Sequence, residues 1–159
     1  MIKNLKLPKK LPQIVIVTGT PGTGKTVLAK RIAKRYGHEY VDVTGIIKKY
    51  RLAECYDRKR KTNIVNEKKL AKLLEKIIQL ARKHREKLVI DSHMSHFINP
   101  KYVDLCIVTK CGLKELEKRL KKKGYHKAKI EENLESEIFD ICFVEAKEKG
   151  HKVKIVLTG

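Results

Sequence analysis

The residues from Gly19 to Thr26, Gly-Thr-Pro-Gly-Thr-Gly-Lys-Thr, satisfy G-x-x-x-x-G-K-[ST] in full. That spacing suits the holding of phosphate. Gly19, Gly22 and Gly24 let the backbone wrap closely and turn its N–H groups inward, with Pro21 and Thr23 completing the loop. A helix opening at the loop adds its own N-terminal donors. Lys25 is then placed to reach the β- and γ-phosphates of ATP, and the Thr26 hydroxyl to ligate Mg2+. The next residue, Val27, brings no second hydroxyl, so no binding role is expected of it. Asp91 ends the apolar run Leu88-Val89-Ile90-Asp91. An acid at the end of a buried strand is expected to hold Mg2+ directly or through water, although such an Asp can also cap a turn. Two residues on, His93 shares a side with Asp91 if the segment is extended. There it can orient water or hold a side chain that does; it can also pack at the sheet edge.

These groups need a scaffold, and the hydrophobic pattern supplies one. Residues 13–18 (QIVIVT) are β-branched and apolar, as in a buried parallel strand. The glycine loop follows, then a helix to about Tyr36 that stops at Gly37. Residues 39–43 read as a second strand and 45–51 as a short helix. Residues 53–63 are polar and basic, with Arg-Lys-Arg-Lys at 58–61. Leu70, Leu73, Leu74, Ile77, Ile78 and Ala81 mark one face of a long helix with Asn66 as its N-cap. Residues 88–91, 102–109 and 152–157 complete a set of five strands. Leu113, Leu116 and Leu120 line a helix ending near Gly124. Ile130, Leu134, Ile138, Ile141 and Cys142 line one more, ending at Gly150. Strands alternating with helices predict an α/β sandwich around a mostly parallel sheet, in one domain spanning 1–159. Residues 1–12, with Pro8 and Pro12, read as a basic arm leading in.

Lys and Arg number 38 against 18 Asp and Glu, a formal net charge of +20. Solubility alone asks for about 2–8 in a small domain. A lysine-rich surface of the kind thermophiles carry accounts for part of the excess, and an anionic partner such as RNA or a ribosome surface for more. The four cysteines form no C-x-x-C pair, so reduced thiols are expected rather than a zinc site. The longest apolar runs fall far short of the ~18 residues a membrane helix needs, and the first residues lack a signal peptide's apolar segment. We expect a cytoplasmic protein with no membrane partner, and a monomer.

Four segments together resemble a known family, the adenylate-kinase-like ribosome-assembly ATPases, called adenylate kinase isoenzyme six in animals. They are GTPGTGKT (19–26), CYDRKR (55–60), IDSHMSH (90–96) and KKGYHKAKIEENLESEIF (122–139). The loop alone also resembles that of ring-forming motor ATPases. Many of those carry a Glu directly after the strand-end Asp, where this chain has Ser92, so a small nucleoside-monophosphate-kinase-like P-loop fold is the better match. The resemblance implies five parallel strands, an acceptor-nucleotide region over about 44–66 and a short lid over about 121–130. It implies adenylate kinase activity with AMP as acceptor, ATPase activity, or both. It also implies a link to maturation of small-subunit ribosomal RNA, with a small-subunit platform ribosomal protein as partner near the rRNA. Within it, Lys48, Tyr56 and Asp57 fall in the acceptor region, and Lys123 and Tyr125 in the lid. Lys48 and Lys123 stand where the family often has Arg, and Lys lacks the planar two-pronged grip of a guanidinium. Asn66 stands where an acid is expected. Arg119, one turn before the lid, is the nearby Arg that can reach the transferring phosphate, or else a solvated charge on a basic helix. Lys25, Asp91, His93 and Arg119 are thus the expected catalytic set.

Overall fold

The computed structural model describes residues 7–59 and 62–159. In chain order its elements are β1 (Ile14–Thr18), α1 (Lys25–Tyr36), β2 (Glu39–Asp42), α2 (Val43–Lys49), β3 (Ala53–Asp57), β4 (Thr62–Val65), α3 (Glu67–Lys83), β5 (Leu88–Asp91), β6 (Leu105–Lys110), α4 (Leu113–Lys122), α5 (Lys127–Ile138), α6 (Ile141–Glu148) and β7 (Val153–Leu157). Five strands form a parallel sheet in the order β2-β5-β1-β6-β7. β1 lies at its centre with every residue buried, which is why its sequence is apolar without alternation. α3 and α6 cover one face, packing Leu70, Leu74, Ile78 and Ala146 onto Ile14, Ile16 and Ile90. α1 covers the other, packing Leu28, Ala29 and Ile32 onto Val15, Val17 and Ile107. This is the α/β P-loop architecture the pattern predicted. Two 3₁₀ turns, Ser95–Phe97 and Pro100–Tyr102, take the place of a helix between β5 and β6.

The sheet positions the site by register. Val17 pairs with Asp91 across β1 and β5, and Asp42 pairs with Asp91 across β2 and β5. Asp91 therefore emerges beside the start of the glycine loop. α4 and α5 pack as a pair over that loop through Leu116, Leu120 and Ile130, with Tyr125 and Leu134 against them.

The structure departs from the expected elements in four places. The short helix starts at Val43, two residues before the expected start, and ends at Lys49. The polar stretch after it is an antiparallel hairpin, with Tyr56 paired to Asn63 and Asp57 to Thr62. Its strands carry no apolar alternation because β3 is exposed along most of its length. The single helix expected up to Gly150 is two helices: Asp140 adopts a left-handed conformation (φ 54), pairs with Lys110 and redirects the chain. From Leu7 the basic arm is docked, with Leu7 and Leu11 on the α1 side of the sheet and the Pro8 carbonyl accepting from the Tyr36 hydroxyl. Residues 1–6 of that arm, and Arg60 and Lys61 of the basic run, lie outside the described residues.

Candidate nucleotide site

The glycine loop is held from behind by a chain of threonine hydroxyls. Thr23 donates to the Thr20 carbonyl at 2.7 Å and lies 2.7 Å from the Thr109 hydroxyl, which donates to the Thr18 carbonyl at 3.2 Å. Thr158, just beyond β7, donates to the Thr23 carbonyl. Thr23 is fully buried, so its side chain braces the loop while its backbone lines it. Two glycines are required by space as well as by backbone angle. A Cβ on Gly19 (φ 143) would stand 2.5 Å from the Thr109 hydroxyl, and one on Gly22 (φ 92) 2.9 Å from Leu116.

At the mouth of the loop, Thr26 donates to Oδ2 of Asp91 at 2.6 Å. Tyr40, from β2, donates to the same oxygen at 2.9 Å. Burial and the Asp91 carboxylate push the Tyr40 hydroxyl far above its ordinary pKa, so it remains a donor. Lys25 rests its ammonium on the Thr20 carbonyl at 3.1 Å. Burial pulls its pKa down to about 8, against the opposing pull of Asp91. A hydroxyl and a carboxylate at this spacing are hard oxygen donors, and they fit Mg2+.

β5 ends at Asp91 and the chain turns at His93 and Met94, so the extended alternation expected for this pair does not occur. His93 is exposed at its surface but crowded by protein around the ring. That desolvation, with Lys25, His96 and Lys129 nearby, pushes its pKa down to about 4. At neutral pH its ring is uncharged and can accept a hydrogen bond. His96, which the sequence left as a surface or supporting residue, is 1% exposed and bonded between Thr18 and Glu145.

A cavity of about 660 Å3 opens beside the loop, lined by Gly22, Lys25, Thr26, Arg119, Lys123 and Thr158 among others. Val27, to which the motif gives no role, lines it too and is 57% exposed. It offers the cavity apolar surface. Arg119 lies at the cavity wall. It bonds Glu115 (2.9 Å), the Thr158 carbonyl (2.9 Å) and hydroxyl (3.2 Å), and the Gly22 carbonyl (3.4 Å). Those bonds tie it to the outer edge of the loop. Tyr125 packs into the α4–α5 cluster with the Lys129 ammonium 4.5 Å from its ring centroid. Lys123 caps the end of α4 and is exposed. Lys48, Tyr56 and Asp57 stand apart on α2 and the hairpin: Lys48 and Tyr56 are exposed, and Asp57 accepts from the Lys59 amide. None of the three lines this cavity. The sequence reading missed Tyr40, Thr18, Thr109, Thr158 and Glu145, because no local motif carries them.

A parallel sheet in this strand order, with a phosphate loop facing a strand-end Asp, defines a P-loop kinase. A family described as AAA domain matches residues 15–140. An adenylate kinase isoenzyme 6 homolog of Schizosaccharomyces pombe is 36% identical over 141 residues, which is 88% of this chain and 77% of that protein. One of Caenorhabditis elegans is 31% identical over 134 residues, 84% of this chain and 72% of that protein. The chain belongs to this adenylate kinase isoenzyme 6 family. Among solved structures, a sugar kinase from Janibacter superposes with a TM-score of 0.64 at 17% identity, covering 91% of this chain and 84% of that one. A deoxyadenosine kinase from M. mycoides with bound dATP gives 0.53 at 14% identity, covering 91% of each. At those identities the likeness is one of fold. No helix of the described residues is long and apolar enough to cross a membrane.

Proposed function

We propose that the chain transfers the terminal phosphoryl group of ATP to AMP and also hydrolyses ATP, in the cytoplasm. The observation that carries this reading is the Thr26 hydroxyl on the Asp91 carboxylate at 2.6 Å, beside the Lys25 ammonium at the mouth of the loop. Phosphoryl transfer asks for positioning and charge neutralisation more than for covalent chemistry. The backbone of Gly19, Pro21, Gly22, Thr23 and Gly24 lines the phosphates, with N–H groups from every residue but Pro21 available to donate to their oxygens. Lys25 leaves the Thr20 carbonyl for the β- and γ-phosphates. Thr26 and Asp91 would hold Mg2+, which would supply charge neutralisation at the phosphates. His93, uncharged at neutral pH, orients the attacking group: water in hydrolysis, or the acceptor's own oxygen in transfer. Lys48, Tyr56 and Asp57 face the acceptor in this reading. Lys123 and Tyr125 close from the lid, and Arg119 swings from the loop edge toward the transferring phosphate.

A second reading is favoured by the +20 charge and the exposed hairpin with its basic end. In it the chain is an ATP-switched assembly factor for the small ribosomal subunit, bound to a platform ribosomal protein and rRNA, with kinase activity incidental. The experiment that separates them is turnover of Mg-ATP alone and with AMP, on the intact protein and on Asp91→Asn. AMP-dependent formation of two ADP per ATP at about 1–100 per second, lost in the variant, supports the kinase reading. Slow phosphate release that ignores AMP and vanishes in the variant supports the switch.

A further inference from the structure

Thr18 is the last residue of β1 and directly precedes the phosphate loop. Its fully buried hydroxyl lies 2.9 Å from Nδ1 of His96 and 3.3 Å from the carbonyl oxygen of His93. On the far side of the same imidazole, Nε2 lies 2.6 Å from Oε2 of Glu145 on α6. The carboxylate sets the tautomer: Nε2 carries the proton and donates to Glu145, and Nδ1 accepts the one Thr18 hydroxyl proton, which leaves the His93 carbonyl as a packing contact of that hydroxyl rather than a second bond. Burial lowers the imidazole's pKa against the pull of Glu145, which favours this neutral form. The surrounding turn is tied down as well. Ser95 donates to the Val17 carbonyl at 3.1 Å, and His151 Nε2 lies 2.8 Å from the His96 carbonyl.

A hydroxyl, an imidazole and a carboxylate in line are costly to bury, and well-packed apolar side chains would fill the space with no such cost. What the polar chain adds is direction, because each bond fixes an orientation. Thr18 touches both ends of the turn from His93 to His96, and none of Thr18, His96 and Glu145 lines the nucleotide cavity. We propose that Thr18 and His96, anchored by Glu145, are positioning residues that fix where the turn from His93 to His96, and with it the His93 ring, stands. This rests on the reading of His93 as the residue that orients the attacking group.

The test compares Thr18→Val, which keeps the shape and removes the hydroxyl, with Thr18→Ser, which keeps the hydroxyl. His93→Ala and the Thr18→Val/His93→Ala double variant complete a cycle. Steady-state kcat and KM for ATP, with and without AMP, are read together with thermal melting. Thr18→Val should lower kcat about tenfold, inside the ~100-fold that an ångström of misplacement costs. KM for ATP should hold within about twofold, Thr18→Ser should restore kcat, and Thr18→Val should add nothing in the His93→Ala background. Wild-type kcat in Thr18→Val overturns the inference. So does a Thr18→Ser as slow as Thr18→Val, a KM that rises as kcat falls, or full additivity in the double variant. If His93→Ala turns over normally, the reading of His93 fails on its own, and a slow Thr18→Val then counts against the inference too. Should Thr18→Val not fold, half-exposed Glu145 gives the same contrast at the outer end of the chain. Glu145→Ala should slow turnover, and Glu145→Gln, which keeps an acceptor oxygen for Nε2, should not.

Discussion

Asp91 takes two hydroxyl donors on one carboxylate oxygen, one from Thr26 and one from Tyr40. The first belongs to the local motif. The second arrives from β2, 51 residues away in sequence, and only the parallel register brings it there. A net hydrogen bond contributes about 0.5–1.5 kcal/mol. Tyr40→Phe should therefore raise the Mg2+ concentration for half-maximal turnover by roughly 2–13-fold, with Thr26→Ala costing more; a Mg2+ titration of turnover reads both. The thiols give a second prediction at this scale. Burial pushes Cys106 up to about 12 and Cys142 up to about 11, and raises Cys111, while Cys55 is exposed on the hairpin. A raised pKa leaves less thiolate at any working pH. Alkylation of the folded protein at mildly alkaline pH should therefore mark Cys55 alone, with the other three reacting after denaturation; mass spectrometry of the labelled peptides checks it. The sign carries over to stability. Unfolded thiols ionise near 9.0, so the contribution from keeping Cys106 and Cys142 neutral is present below that pH and fades as pH climbs toward 11 and 12. At this scale the sequence yields what is contiguous: Gly19 through Thr26, and Asp91 at a strand end. Thr158, 135 residues from the Thr23 carbonyl it holds, could not be read the same way.

Among the elements, those whose burial repeats with a regular period were legible. The α3 stripe and the run in β1 follow directly from which face is buried, and the Asn66 side chain caps α3 by accepting from the Lys69 amide at 3.1 Å. Removing an N-cap of this kind costs ~1 kcal/mol. Asn66→Ala should lower the melting temperature by about 2–4 °C in a domain of this size, with turnover unchanged once folded; a thermal melt followed by circular dichroism measures it. The β3–β4 hairpin was not legible, because a ribbon with little burial has no apolar period to read. The α5–α6 junction failed for the opposite reason. Ile130, Leu134, Ile138 and Ile141 keep a helical spacing straight through it. The break is made by one left-handed residue, Asp140, whose partner Lys110 lies 30 residues earlier on β6.

For the whole molecule the dominant quantity is a net charge of +20, and the fold leaves part of it on the exposed β3–β4 hairpin. Arg58 and Lys59 stand at the end of β3, next to exposed Tyr56. A field of this size speeds the arrival of any anion, including ATP and AMP, and salt screens that steering. Bonds to a polymer's phosphates add a further dependence, because each one releases condensed counterions. Binding to single-stranded RNA should then lose affinity linearly in log salt, with a slope of about −0.7 per phosphate contacted. If the Arg-Lys-Arg-Lys run at 58–61 makes four of those contacts, replacing all four with Ser should reduce the slope by about 3 units. KM for ATP should not change, since none of the described cavity lining comes from the hairpin. Fluorescence anisotropy of a labelled RNA oligonucleotide from roughly 50 to 200 mM salt covers the range in which the effect is large. A steep slope that flattens in the variant assigns the hairpin to a polyanion and strengthens the assembly-factor reading. A flat response in the intact protein leaves the charge to solubility and to the steering of small nucleotides, and the kinase reading then stands alone.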